Sequence, residues 1–134
     1  MKGLMLKWAQ ANRQHLAKHQ LVATGTTGFL LESDLDMKIE KLFSGPLGGD
    51  QQIGAEIAEG RVHGLFFFWD PFEPLPHDPD IKALLRIAAV WNIPVACNPA
   101  TAELLLSSDA FNEICEVEVP DYDSYLRERA ETLC

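Results

Sequence analysis

Residues 64–69 form an unbroken apolar and aromatic run, which ends at Asp70 and Pro71. A run without polar alternation is typical of a β-strand that is buried on both faces. Other elements must cover such a strand on each side, because its side chains avoid water on both faces. The run therefore favours a three-layer α/β/α fold, in which helices cover both faces of a mainly parallel sheet.

The rest of the chain alternates between strand and helix patterns, as βαβ units require. Shorter apolar segments predict strands over residues 20–23, 39–42, 94–97 and 116–119. Apolar spacing and capping residues predict helices over residues 2–19, 27–33, 51–59, 79–91, 98–106 and 121–131. The chain opens directly in a helix, whereas an alternating domain normally opens with a strand.

Length and charge restrict the class of protein. The 134 residues fit one domain over positions 1–134, and a formal net charge of −9 argues against a nucleic-acid binder. No apolar run approaches the ~20 residues that span a membrane. Cys97, Cys115 and Cys134 are odd in number and widely spaced, which fits reduced thiols and a cytoplasmic protein.

Three unusual loops, at residues 24–28, 44–50 and 70–80, leave predicted strands at the same end of the sheet. Ligands of open α/β sheets bind at the carboxyl ends of the strands, so these loops predict a site. The loops contain neither a Walker-A lysine motif nor GxGxxG. The usual nucleotide-binding folds are therefore not indicated.

The loop at residues 24–28 offers three threonine hydroxyls and backbone N–H groups at a helix start. It can cradle a phosphate or carboxylate, or its threonines can cap the helix. Lys2 could add a mobile cation, or it could be a solvated surface lysine.

The loop at residues 44–50 places three glycines and a proline before Asp50. One interpretation is a turn followed by a helix that Asp50 caps. The other is an anion-binding loop with a carboxylate at its edge.

The third loop supplies further acid–base candidates. Asp70 follows the buried strand, where catalytic residues occur, but it also fits a turn before Pro71. His77 could transfer a proton or polarise a substrate, or it could be a surface histidine. Asp78 and Asp80 are fully explained as residues at a helix start. We read Cys97 as a small buried hydrophobe, and the spacing of His and Asp does not fit a metal site.

Taken together, these segments resemble methylglyoxal synthases from Lys2 to the final helix. The resemblance rests on Thr24-Gly25-Thr26-Thr27-Gly28, Ser44-Gly45-Pro46-Leu47-Gly48-Gly49-Asp50-Gln51-Gln52, Phe67-Phe68-Trp69-Asp70-Pro71, Pro76-His77-Asp78-Pro79-Asp80 and Trp91-Asn92-Ile93-Pro94-Val95-Ala96.

The resemblance implies a lyase that converts dihydroxyacetone phosphate to methylglyoxal and inorganic phosphate, in a glycolytic bypass without metal or organic cofactor. It implies that Asp50 is the general base and that His77 contacts the carbonyl side of the substrate. Asp70 and Asp80 match supporting carboxylates, with Asp80 orienting His77. Positions that match substrate and phosphate contacts are Lys2, Thr24, Gly25, Thr26, Thr27, Ser44 and Gly45.

The resemblance also implies a homohexamer in which Arg129 reaches a neighbouring subunit's site, and inhibition by phosphate. The alternative is a regulatory domain of the same fold, which binds a small phosphorylated effector without reacting it. Asp50 and His77 together favour the enzyme, because a binding module needs neither a base nor a polarising group.

The sequence departs from this family at its start. The family opens with a strand in the middle of the sheet, which ends in His-Asp just before the lysine that matches Lys2. Here that segment is absent, so we expect the natural protein to be longer or the start site to be placed too late. If the chain starts at Met1, we expect impaired folding and little activity, because neighbouring strands would lack ladder partners.

Overall fold

The computed structural model describes residues 2–72, 78–114, 119 and 121–133. Its helices and strands are α1 (Lys2–Ala11), α2 (Arg13–Leu16), β1 (Leu21–Ala23), α3 (Gly25–Leu35), β2 (Ile39–Lys41), α4 (Gly49–Ala58), β3 (Leu65–Phe66), α5 (Asp78–Val90), β4 (Val95–Ala96), α6 (Pro99–Leu106) and α7 (Tyr122–Leu133). A 3-10 turn at Gly45–Leu47 precedes α4, and a π-helical turn covers Ala110–Ile114.

The four strands in the described part of the chain all pair in parallel. β1 pairs with β2, with Leu21 opposite Ile39, and β3 pairs with β4, with Leu65 opposite Val95. Among the described residues these pairs form two separate two-stranded sheets. β1 and β3 thus each have a strand neighbour on one side only within the part of the chain that the structure describes.

The strand expected over residues 64–69 is much shorter than predicted. Only Leu65–Phe66 pairs with β4. One further backbone hydrogen bond runs from the Phe67 N–H to the Ala96 carbonyl at 2.8 Å. Apolar side chains indicate that a segment is buried. A β-strand also needs a neighbouring strand whose backbone groups pair with its own, and the apolar pattern does not show this. The prediction of burial is confirmed at Leu65 and Phe68 and is wrong at Trp69, which is 39% exposed. The predicted strand length is also wrong.

Helices cover both faces of β3, which gives the three-layer α/β/α arrangement. On one face, the Trp8 ring of α1 stacks on Phe66 at 5.1 Å between centroids and meets Phe68 edge-on at 5.3 Å. On the other face, Leu65 belongs to a buried cluster with Ile57 of α4 and with side chains of α5. The side chains alternate between the two layers because successive strand residues point to opposite faces.

The first predicted helix, over residues 2–19, is divided at Asn12. The buried Asn12 side-chain amide donates to the Trp8 carbonyl at 2.9 Å and to Glu103 Oε1 at 2.8 Å. It therefore ties α1 to α6 by a polar contact between residues 91 positions apart. Such a contact is not visible in apolar spacing, so the division was not predicted.

The remaining boundaries agree in type and differ in extent. α3 is longer than the predicted 27–33 segment, and α6 begins as expected, with Asn98 Oδ1 accepting the Thr101 N–H at 2.9 Å. The predicted strand over residues 116–119 lies mostly outside the described residues. None of the helices that the structure describes is both long and apolar enough to cross a membrane.

The final helix, α7, is attached through its first residue. The Tyr122 hydroxyl donates to the Val90 carbonyl, and its ring meets Trp91 edge-on at 5.2 Å. Asp121 accepts hydrogen bonds from the Ser124 hydroxyl and N–H, which lower the pKa of Asp121 and cap α7. Most of the described side chains of α7 are exposed.

Two leucines on α6 test the packing of this core. Leu106 is 1% exposed and Leu104 is 71% exposed. We expect Leu106→Ala to lower the free energy of unfolding by about 2–5 kcal/mol, because it leaves a cavity. Leu104→Ala is the matched control, with an expected change below about 0.5 kcal/mol. Urea denaturation measures both values, and equal effects would contradict the assignment of Leu106 to the core.

Candidate functional site

The threonine-rich loop at residues 24–28 forms the start of α3. Thr24 is extended, with φ −64° and ψ 154°, and its carbonyl accepts the Gly28 N–H at 2.8 Å. Its side chain makes no capping hydrogen bond. The first-turn N–H groups of Thr26 and Thr27 have no carbonyl partner within their own helix, as at any helix start. The Thr24 side chain therefore does not cap α3, and anion binding by the first-turn N–H groups stays a prediction.

The glycine-rich loop leads from β2 into α4. Ser44 is extended, and its carbonyl accepts the N–H groups of Leu47 and Gly49, each at 3.0 Å. Gly48 has φ 108°, a left-handed conformation that glycine adopts without strain. The chain thereby reverses direction within a few residues, and α4 starts directly behind the loop.

Asp50 lies within the first turn of α4 and is not its N-cap. The helix begins at Gly49, and Gly48 occupies the cap position without a side-chain hydrogen bond. The capping interpretation of Asp50 is therefore wrong. The helix starts earlier because the left-handed Gly48 turns the chain before Asp50 is reached.

The Asp50 carboxylate points back at the loop. Asp50 is only 6% exposed, and a Cβ built on Gly45 would lie 3.1 Å from Asp50 Oδ2 and 3.3 Å from Oδ1. The missing side chain at Gly45 thus leaves room beside the carboxylate. A carboxylate with open space beside it is a group that can accept a proton.

The two loops are in contact at the carboxyl end of the β1–β2 pair. The Gly25 N–H donates to the Phe43 carbonyl at 3.2 Å. A Cβ built on Gly25 would lie 3.0 Å from the Leu42 carbonyl oxygen and 3.2 Å from the Ser44 nitrogen. The structure therefore brings together Thr24, Gly25, Thr26, Thr27, Ser44, Gly45 and Asp50.

The third loop is described only in part. Asp70 is half-buried, and its Oδ1 accepts the Phe72 N–H at 2.9 Å, as the turn interpretation predicted. Asp80 is half-buried in the first turn of α5. His77 lies outside the described residues, so its predicted pairing with Asp80 does too.

The two basic candidates lie on terminal helices. Lys2 is the first residue of α1, and its side chain is outside the described part of the structure. Arg129 of α7 is exposed, its guanidinium lies 5.6 Å from the Tyr125 ring centroid, and its Nη1 donates to the Tyr125 hydroxyl at 3.2 Å. These contacts of Arg129 stay within its own helix.

Cys97 differs from its prediction, because the thiol is free and half-buried rather than buried. It follows β4 directly and precedes the Asn98 cap, so the backbone turns before the side chain enters the core. Within the described ranges, no group of three or more His, Cys, Asp or Glu residues is placed to hold a metal ion.

Phe43 and Gln52 also contact the site loops, although no local sequence pattern indicates a role for either residue. Gln52 Oε1 accepts the Phe43 N–H at 2.8 Å across nine positions of sequence. Gln52 is part of the Ser44–Gln52 motif, but no rule of sequence spacing predicts that a glutamine in a helix will bind the Phe43 N–H.

A cavity of about 980 Å³ lies at the opposite end of β1 and β2, beside Leu21 and Ile39. Its charged lining includes Arg13, Lys38 and Glu40, which carry both signs. None of the candidate residues lines it. The cluster of loops is therefore the better candidate site, since it joins a buried carboxylate to the start of a helix.

The comparisons with known proteins point to one family. Residues 4–97 match the family described as MGS-like domain. The chain is 56% identical over 126 residues to a methylglyoxal synthase of Saccharophagus degradans, an alignment covering 94% of this chain and 82% of the relative. It is 58% identical over 127 residues to a methylglyoxal synthase of Cellvibrio japonicus, with 95% and 82% covered.

A solved structure agrees with these relatives. The crystal structure of methylglyoxal synthase from Elizabethkingia anophelis matches with a TM-score of 0.86 and 47% sequence identity. The match covers 94% of this chain and 83% of that one. Fold and sequence therefore give the same result over almost the whole chain.

Two glycines on α4 test the packing of the loop. A Cβ at Gly49 would lie 2.0 Å from the Phe43 carbonyl oxygen, whereas one at Gly54 would meet nothing within 4 Å. We expect Gly49→Ala to lower the free energy of unfolding by about 3 kcal/mol, because backbone must move. Gly54→Ala should raise it by about 0.5–1 kcal/mol through the better helix propensity of alanine. Chemical denaturation measures both, and a neutral Gly49→Ala would contradict the close approach.

Proposed function

The chain belongs to the MGS-like domain family, and we propose that it is a lyase that converts dihydroxyacetone phosphate to methylglyoxal and inorganic phosphate. The observation that carries this proposal is the buried Asp50 carboxylate beside Gly45, next to the α3 start. A base and an anion cradle in contact are what proton abstraction followed by phosphate loss requires.

In the first step, Asp50 removes a proton from C3, the carbon that bears the free hydroxyl. The C–H electron pair becomes the C2–C3 double bond of an enediolate, and negative charge develops on the carbonyl oxygen. Donors near that oxygen stabilise this charge. We assign this polarising role to His77, with Asp80 orienting it and Asp70 as a supporting carboxylate.

In the second step, the C3 hydroxyl proton passes to the C2 oxygen, and the C3 oxygen forms the aldehyde C=O bond. The C2–C3 π pair becomes the C1–C2 double bond, and the C1–O bond breaks with its electron pair leaving on phosphate. The products are inorganic phosphate and the enol of methylglyoxal, which takes up a proton on carbon. First-turn N–H groups and hydroxyls stabilise the leaving anion. The residues we assign to substrate and phosphate are Lys2, Thr24, Gly25, Thr26, Thr27, Ser44 and Gly45.

The position of Asp50 has two opposing effects on its reactivity. The dipole of α4 favours the charged carboxylate, which makes it a weaker base, whereas burial favours the neutral form. The Asp50 carboxylate lies so close to Gly45 that a Cβ there would be 3.1 Å from Oδ2, which supports a carboxylate held in one place beside the loop. We therefore assign a large part of the rate to positioning.

We also propose that the protein is cytoplasmic and works without a metal or organic cofactor as a homohexamer. Inorganic phosphate should inhibit, because it is a product and competes for the same cradle. Arg129 would then act in a neighbouring subunit's site, which agrees with its exposure and with its contacts to Tyr125 of the same helix.

The role of Asp50 is tested with Asp50→Asn, which keeps the shape of the side chain and removes the base. We expect methylglyoxal formation to fall by at least about 100-fold, the scale of a general base, while inorganic phosphate still binds. Asp34→Asn, on the exposed face of α3, is the control and should retain full activity.

Full activity in Asp50→Asn would reject the proton-abstraction role. A folded wild-type protein that binds dihydroxyacetone phosphate without turning it over would instead favour the regulatory domain.

The role of Arg129 is tested by mixing subunits. We expect Arg129→Ala to lower activity at least about tenfold, since a charge-assisted contact to substrate is lost, and Arg127→Ala to change it little. Arg129→Ala and Asp50→Asn subunits are then co-assembled in equal amounts. About a quarter of the sites should regain activity, because a site is intact only when Asp50 comes from an Arg129→Ala subunit and Arg129 from a neighbouring Asp50→Asn subunit. No recovery in verified mixed oligomers would place Arg129 in its own subunit's site or outside all sites.

A further inference from the structure

We propose that Gln52 is a positioning residue of the site: its side chain holds the Phe43 peptide and thereby fixes Ser44 and Gly45 relative to Asp50. This inference rests on the proposed function, because it concerns the same loops. Gln52 itself would touch no substrate, and its effect would pass through the backbone of Phe43.

The hydrogen bond of Gln52 holds the Phe43 N–H just past the end of the β1–β2 pairing. The Leu42 N–H donates to the Ala23 carbonyl at 2.9 Å, which extends the β1–β2 ladder by one residue. Phe43 lies beyond the end of β2 at Lys41, and its N–H donates to Gln52 Oε1 at 2.8 Å instead of to β1.

The Phe43 carbonyl is held in place by two other residues, Gly25 and Gly49. It accepts the Gly25 N–H at 3.2 Å, which ties it to the start of α3. The Gly49 backbone packs so closely against this carbonyl that a side chain there would overlap it. The backbone of Phe43 therefore joins the threonine loop, the glycine-rich loop and α4, although its ring is 63% exposed.

A shift of the Phe43 backbone would also move the loop residues that lie against the proposed base. Ser44 follows it, and the Ser44 carbonyl accepts the N–H of Gly49, the residue before Asp50. Gly45 in turn lies against the Asp50 carboxylate. Releasing the Phe43 N–H would let Ser44 and Gly45 shift relative to the base, and such shifts can cost about 100-fold in rate.

The same hydrogen bond contributes little to holding the fold together. It lies at an exposed position and Gln52 is half-buried, so water can replace the glutamine when the side chain is removed. A positioning role therefore predicts a large change in turnover with a small change in stability.

The test uses two variants of Gln52 and one matched control. Gln52→Leu removes the acceptor at similar size, and Gln52→Glu keeps an acceptor oxygen. Gln51→Leu makes the same change at the exposed neighbouring position. For each variant, kcat and KM for dihydroxyacetone phosphate, the urea midpoint, and the hydrogen-exchange rate of the Phe43 amide are measured.

We expect Gln52→Leu to lower kcat about 10- to 100-fold with a smaller change in KM, since misplacement acts mainly on the chemical step. The Phe43 amide should exchange faster in this variant, and the urea midpoint should stay near that of the wild type. Gln52→Glu should recover most of kcat and of the amide protection, and Gln51→Leu should resemble the wild type.

Unchanged kcat in Gln52→Leu would overturn the proposal, as would equal impairment of Gln52→Glu and Gln52→Leu. If the wild type makes no methylglyoxal, the proposed function fails, and binding of inorganic phosphate becomes the readout. Gln52→Leu should then weaken phosphate binding relative to Gln51→Leu, and equal affinities, or no phosphate binding by the wild type, would overturn the positioning role.

Discussion

The arrangement of the domain depends on the two-sided burial of β3. Phe66 and Phe68 project into one layer, where Trp8 of α1 covers them, and Leu65 projects into the other, where α4 and α5 cover it. Each face buries apolar surface against helices, which is the main favourable contribution to folding. Because both layers depend on the same short strand, the positions of α1, α4 and α5 are fixed relative to one another. α4 carries Asp50 and α1 begins at Lys2, so this packing also determines where the candidate site can form.

Within that frame, the site depends on close approaches between backbone segments. Glycine at positions 25, 45 and 49 lets the threonine loop, the glycine-rich loop and α4 come nearer than side chains would allow. Such approaches direct the N–H groups of a helix start and a buried carboxylate toward one volume. In the proposed reaction, the helix start would stabilise an anion and the carboxylate would remove a proton from the same substrate, so the mechanism requires both groups close together.

Polar contacts over long sequence distances connect these parts. Asn12 ties α1 to Glu103 of α6, and Gln52 ties α4 to the Phe43 peptide. Each amide satisfies groups that apolar packing leaves without partners, and each contact involves residues whose local sequence gives no sign of a role. Local patterns describe which side chains avoid water, whereas these bonds depend on where distant backbone groups arrive.

The sequence alone determined the class of fold, the type and order of most elements, and the loops that carry the candidate residues. It did so because burial and helix starts leave periodic and local signals, such as the apolar run before Asp70 or the Asn98 cap. The motifs also identified the family. The tertiary structure decided that Asp50 lies inside α4 rather than capping it, that the apolar run pairs over only Leu65–Phe66, and that the Phe43 backbone joins the two loops. These features depend on backbone partners and close approaches between distant segments, which are absent from the local sequence and exist only once the chain has folded.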